Sequence, residues 1–220
     1  ALKQVLESAS KNGVEKLLVL GDVVGYYYSP EKVLELLDDW DYEFIRGNHE
    51  VFLGKVRKGG VDIDYLQKKY GSGHKIALEN LTEDQLDFLS NAPDKKQIEI
   101  DNIKVLMCHG TNWDSDFYLY PDTNEEILRK SNVSGVDFVV VGHSHYSFVY
   151  QNTDSVLINV GSVGQSRSEG GQANWVIINT SNSTFELKAT PYDVGPLIKE
   201  VEKNDPGTPY LQNILRRNNK

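Results

Sequence analysis

Two imidazoles, His143 and His145, leave the end of the apolar run Phe138-Val139-Val140-Val141 one residue apart, after Gly142. A run so rich in β-branched residues reads as a buried strand, and glycine allows a sharp turn at its end. Three other strand-like runs finish in similar chemistry: Leu17 to Leu20 before Gly21-Asp22, Phe44-Ile45-Arg46 before Gly47-Asn48-His49-Glu50, and Val105 to Met107 before Cys108-His109-Gly110. Asp22, Asn48, His109, His143 and His145, with His49 beside them, are oxygen and nitrogen donors of the kinds that hold Mn, Fe, Zn or a similar divalent metal. Cys108 is the sole cysteine, which argues against a thiolate-rich structural zinc knot.

Each residue also has a plainer reading. An Asp after a strand is commonly a cap or turn residue, Gly-Asn pairs commonly make turns, and a lone His is commonly a hydrogen-bonded structural residue. Four strand ends with compatible donors are hard to obtain by chance. The set is therefore read as a metal site at one edge of a sheet.

The elements that must position these donors are visible in the patterning. Residues 1–12 carry Leu2, Val5, Leu6 and Ala9 on one helical stripe. Ser29-Pro30-Glu31 opens a second helix with Ser as N-cap, and Val33, Leu34 and Leu37 supply its buried face. Residues 51–80 read as loops and irregular helix, broken at Gly59-Gly60 and Gly71-Ser72-Gly73. Thr82 to Gln85 and Thr123 to Glu126 have the form of capping boxes. Gln97 to Ile100 and Ile103 to Met107 predict a hairpin turning at Asp101-Asn102. Three strands are expected after Gly142, at 155–160, 174–179 and 184–189, and two short helices follow Val194 on either side of Asp205-Pro206-Gly207. Strand and helix alternate in the first half and strands dominate the second, which suits a mixed-sheet sandwich flanked by helices.

Composition narrows the function classes. The chain has 220 residues, 39% hydrophobic and 25% charged, so one domain with a substantial core is expected over 1–220. No apolar run reaches the roughly 20 residues of a membrane span. A single cysteine suits a reducing compartment, so a cytoplasmic location is expected. The net charge of −9 disfavours a nucleic acid polymer as partner. It leaves room for a small anionic substrate, because divalent cations would dominate the local field.

The ordered set Gly21-Asp22, Gly47-Asn48-His49-Glu50, Cys108-His109-Gly110 and Gly142-His143-Ser144-His145 resembles the calcineurin-like metallophosphoesterase family. Asn159-Val160-Gly161-Ser162 is similar to its later Asn-x-Gly-Ser segment. Gly21 to Tyr26 resembles the small bacterial and archaeal phosphodiesterase-like branch, and the Gly-Asp-x-Val-Asp-Arg-Gly run of Ser/Thr protein phosphatases is absent. The resemblance implies an α/β (α+β) fold: a four-layer αββα sandwich of two mixed sheets flanked by helices. It implies two divalent ions, Mn²⁺ first and Fe, Zn or Ni as alternatives. Asp22 would bridge them, Asn48, His109 and His143 would complete one shell, and His145 would bind the other ion.

The implied reaction is hydrolysis of a phosphodiester or phosphomonoester by a hydroxide shared between metals about 3.5–4 Å apart, with His49 assisting the leaving group. The family's Asp-x-His triplet, which ends a first strand and supplies further ligands, occurs nowhere in this sequence. The resemblance therefore implies upstream residues carrying that strand. A non-catalytic protein-binding scaffold on the same fold, as in the small retromer subunit, is the alternative; the presence of His49 weighs against it. A small phosphorylated substrate is the expected partner, and a homo-oligomer is compatible with the sequence.

Of the remaining residues, Glu50 reads as structural, Arg46 and Arg167 as surface-paired, and His74 as a surface residue. Tyr26, Tyr27 and Tyr28 cannot all face one pocket. The aromatic segment Thr111 to Pro121 is expected to form one wall of the cleft.

Overall fold

The computed structural model describes residues 1–153 and 155–218. Its helices are α1 (Leu2–Lys11), α2 (Pro30–Asp38), α3 (Asn48–Arg57), α4 (Ile63–Tyr70), α5 (Gly73–Asn80), α6 (Glu83–Asn91), α7 (Glu125–Ser131), α8 (Gly195–Asn204) and α9 (Pro209–Leu215). β1 (Lys16–Val19) pairs in parallel with β2 (Asp41–Phe44). β3 (Lys95–Ile100), β4 (Ile103–Cys108), β5 (Phe138–Val141), β6 (Ser147–Gln151) and β7 (Val156–Val160) make a five-stranded mixed sheet in the order β3-β4-β5-β7-β6. β8 (Gln172–Asn179) and β9 (Thr184–Pro191) form an antiparallel ribbon.

Alternation along the strands sorts the apolar side chains into layers. Val105 and Met107 of β4, Phe138 and Val140 of β5 and Ile158 of β7 face inward, against Leu18 of β1, Ile45, Val176 and Ile178 of β8, and Phe185 of β9. The alternate residues Leu106, Cys108, Val139, Val141 and Leu157 face outward, where Ile127 and Leu128 of α7 cover them. Behind β1–β2, Val19 and Phe44 meet Leu34, Leu53, Ala77 and Leu89 from α2, α3, α5 and α6. Val5 and Ala9 of α1 cover Ala173 and Trp175 of β8. This is the expected helix–sheet–sheet–helix order. The layer opposite the five-stranded sheet consists of the parallel β1–β2 pair and the antiparallel β8–β9 ribbon.

Local signals predict several elements well. Asp101 and Asn102 have φ of 51° and 67°, so two left-handed residues close the β3–β4 hairpin at Ile100 and Ile103. Thr82 accepts from Gln85 N–H while the Gln85 side chain accepts from Thr82 N–H, a complete capping box.

Elsewhere the structure corrects the reading. Residues 51–80 are not irregular; they hold most of α3 and all of α4 and α5, ordered by burial of Leu53, Leu66 and Ala77, while the breaks at Gly59-Gly60 and Gly71-Ser72 fall between these helices. Four strands follow Gly142 rather than three, the extra one being β6 on the sheet edge. Asn124, not Thr123, caps α7 by accepting from Glu126 N–H; Thr123 accepts from Tyr120 N–H instead. Ser29 precedes α2 without a side-chain capping bond.

Candidate metal centre

The loops after β1 and β2 touch at two glycines. A Cβ on Gly21 would lie 2.2 Å from Gly47 N, and one on Gly47 would lie 2.2 Å from Asp22 Oδ1, so neither position accepts a side chain. Asp22 follows with φ of 57°. The Glu50 carboxylate, fully buried in the first turn of α3, stitches the crossing together. It accepts from the N–H groups of Asp22 (2.8 Å), Val23 (2.8 Å) and Gly47 (2.7 Å). Asp22 Oδ1 in turn accepts from His49 N–H at 3.0 Å.

The β5–β6 connection is held by Asn159 of β7. Its Nδ2 donates to the Gly142 carbonyl (2.9 Å) and the Ser144 hydroxyl (2.9 Å), and its Oδ1 accepts from Gly161 N–H (3.0 Å). His143 and His145 both have positive φ, 60° and 62°. Two such residues in one short turn cost on the order of 1–3 kcal/mol each and persist only where surrounding bonds determine the backbone.

Four donor atoms converge. His109 Nε2 lies 3.0 Å from His143 Nδ1, 3.1 Å from Asn48 Oδ1 and 3.2 Å from Asp22 Oδ2. The ligand atoms of Asp22, His109 and His143 all lie within 4.8 Å of one another. The far nitrogen of each imidazole is committed elsewhere: His109 Nδ1–H donates to the Leu20 carbonyl (2.6 Å) and His143 Nε2–H to the Asp116 carbonyl (3.1 Å). In their neutral forms His109 Nε2 and His143 Nδ1 therefore turn lone pairs toward each other, and His109 also toward the Asp22 carboxylate and the Asn48 amide oxygen, an arrangement of acceptors with no donor among them. A divalent cation fits that donor set, and carbonyl-anchored imidazoles are the usual support for such ligands. His145 stands apart from this group; its Nδ1–H donates to the Gln165 carbonyl (2.9 Å).

Electrostatics follow from burial and from Asp22. Burial opposes ionisation of Asp22, but the His109 and His49 imidazoles hold its carboxyl well below the usual range. Burial would lower His109, yet the Asp22 carboxylate more than offsets it and lifts the imidazole to about 9. Burial pushes His143 down to about 4, with His109 adding to the effect, and His145 down to about 3, with Arg167 adding. Glu50 rises to about 7 through burial and the neighbouring Asp22 charge.

His49 packs between Tyr26 (ring centres 4.6 Å apart) and Tyr70 (4.8 Å), and its Nδ1 lies 3.2 Å from Nε2 of His74. His74 is therefore no surface residue: it is fully buried and belongs to the shell of His49. It lies three, four and seven residues before Ala77, Leu78 and Leu81, an apolar helical phase that was the available signal. The three tyrosines do diverge, with Tyr26 toward His49, the Tyr27 hydroxyl donating to the Leu211 carbonyl and the Tyr28 hydroxyl to Asp205. Tyr118 lies 3.9 Å, centre to centre, from His143, placing the aromatic segment after His109 at the site. Arg46 pairs with Asp94 as expected. Arg167 does not pair with a carboxylate among the described residues; its guanidinium lies 5.8 Å from the Tyr118 ring centre and its Nε is buried without a partner.

Comparisons with known proteins agree with this architecture. The chain is 29% identical over 223 residues to the uncharacterized protein MJ0912 of Methanocaldococcus jannaschii, covering 93% of this chain and 87% of that protein. Hypothetical protein PH1004 of Pyrococcus horikoshii superposes with a TM-score of 0.81 at 18% identity, covering 100% of this chain and 92% of the other. A metallophosphoesterase from Sphaerobacter thermophilus superposes with a TM-score of 0.72 at 19% identity, covering 96% and 92%. At those identities the two superpositions show the fold. No helix among the described residues is long and apolar enough to cross a membrane. Residues 1–183 match the calcineurin-like phosphoesterase superfamily domain, and the chain belongs to that family.

Proposed function

We propose that this chain is a dinuclear metal-dependent phosphoesterase, a single cytoplasmic domain that hydrolyses small phosphodiesters or phosphomonoesters. The convergence of Asp22, Asn48 and His143 within 3.0–3.2 Å of His109 Nε2 carries this reading. Asp22, Asn48, His109 and His143 would hold one divalent cation, and His145 with Asp22 would hold a second. Mn²⁺ suits this set of imidazole and oxygen donors, with Fe, Zn and Ni as alternatives. When bound, such cations supply an activated water and neutralise charge on the phosphoryl oxygens.

The chain's own residues then divide the remaining work. His49 faces the leaving oxygen as hydrogen-bond or proton donor. Arg167, a cation beside imidazoles and lacking a carboxylate partner among the described residues, meets its counter-charge in the substrate's phosphoryl group. Tyr26 and Tyr118 wall the site.

The test is hydrolysis of bis(p-nitrophenyl) phosphate and p-nitrophenyl phosphate by chelator-treated protein before and after addition of Mn²⁺. Activity should vanish in chelator and return with the metal. Failure to cleave either ester with Mn²⁺, Fe²⁺, Zn²⁺ or Ni²⁺ would overturn the assignment.

A further inference from the structure

His49 and His74 share one hydrogen bond between ring nitrogens, His49 Nδ1 and His74 Nε2, 3.2 Å apart in a buried stack with 24° between the ring planes. One of the two nitrogens must carry the proton between them. The other nitrogen of His74 decides which. His74 Nδ1 is sealed from solvent and has no partner. Were the shared proton on His49, neutral His74 would carry its own proton on Nδ1 as a buried N–H with no acceptor. Orphaned N–H groups of that kind are rare and expensive, whereas an unfilled ring lone pair is better tolerated.

We infer that His74 is a positioning residue: its Nε2–H donates to His49 Nδ1 and so keeps the proton of neutral His49 on Nε2. Nε2 is the nitrogen of His49 with no hydrogen bond among the described residues. The ring is fixed in place as well as in tautomer. A Cβ on Gly25 would fall 2.0 Å from His49 Nδ1, so only glycine admits the imidazole at that depth, and Tyr26, Tyr70 and Phe52 close its other sides. His49 thereby enters the reaction as a neutral hydrogen-bond donor to the leaving oxygen, an aid that matters most when the leaving group is poor.

The kinetic half of this inference rests on the phosphoesterase reading; the spectroscopic half does not. A long-range ¹H–¹⁵N spectrum of the full ¹⁵N-labelled chain in chelator should show His49 Nε2 as protonated and Nδ1 as unprotonated. The reverse assignment overturns the inference, even if the protein hydrolyses nothing. In Mn²⁺-loaded protein, His74→Phe should lower kcat about tenfold for a phenyl phosphodiester and about twofold for its p-nitrophenyl counterpart, the loss expected from one hydrogen bond. His74→Gln, which keeps an N–H at similar reach, should recover most of the phenyl activity. Equal losses on both esters, or no recovery with Gln, would reduce His74 to packing and overturn the inference.

Discussion

Stripped of divalent cations, the protein should lose stability as pH rises from about 7 to about 9, and His109 should be the cause. In the metal-free state a proton on Nε2 stands where the cation would be, facing Asp22 Oδ2 at 3.2 Å, Asn48 Oδ1 at 3.1 Å and His143 Nδ1 at 3.0 Å. Burial disfavours that charge, but the Asp22 carboxylate outweighs burial and carries the imidazole to about 9. The unfolded chain releases the same proton near 6.5. The folded state thus holds it longer, so the stabilisation is complete below the unfolded value and is lost as pH rises through about 9. At ~1.4 kcal/mol per pH unit the decline amounts to roughly 2–3 kcal/mol.

Other groups near the site act outside this window. Glu50, raised to about 7, also favours the folded state at lower pH, and its contribution is gone once that value is passed. The lowered imidazoles His49, His74, His143 and His145 work in the opposite sense, below the unfolded histidine range. Urea unfolding of chelator-treated protein across this interval measures the effect. Calorimetric titration with Mn²⁺ in two buffers of different ionisation heat should show about one proton released near neutral pH as the cation enters the His109 site. Flat stability together with no proton release would refute the assignment of that proton to His109.

Further outcomes follow from single contacts. Both oxygens of Glu50 accept backbone N–H groups, so Glu50→Gln must turn an amide NH₂ against donors and should lower stability by about 2–3 kcal/mol in urea unfolding; a change under about 0.5 kcal/mol would contradict this. Gly47→Ala puts a methyl 2.2 Å from Asp22 Oδ1 and 2.7 Å from His109 Cε1, and should abolish Mn²⁺ binding in calorimetry; undiminished affinity would show that the loop shifts freely. Asp205 is buried and accepts from Ser72 N–H (3.0 Å), the Ser72 hydroxyl (2.8 Å) and the Tyr28 hydroxyl (2.8 Å), tying the C-terminal helices to the start of α5. Asp205→Ala should cost about 3 kcal/mol of stability by leaving those donors unpaired, and an unchanged unfolding midpoint would argue against that role.

Sequence alone determined whatever depends on short stretches of backbone: the left-handed turn at Asp101-Asn102, the Thr82–Gln85 box, the β-branched run of β5, and the donor types that follow the strand ends. Period and cap chemistry are local, so they survive without knowledge of the fold. The tertiary structure alone decided which donors meet. It gathered Asp22, Asn48, His109 and His143 within 3.2 Å of one nitrogen and left His145 outside that group. It also turned Glu50 into the tie between two loops and moved His74 from the surface to the back of His49. Those outcomes depend on how β1, β2, β4 and β5 stack and on how α5 packs beside α2 and α3. Burial of an imidazole is set by neighbours up to dozens of residues away, and nothing in its own few residues encodes their distance.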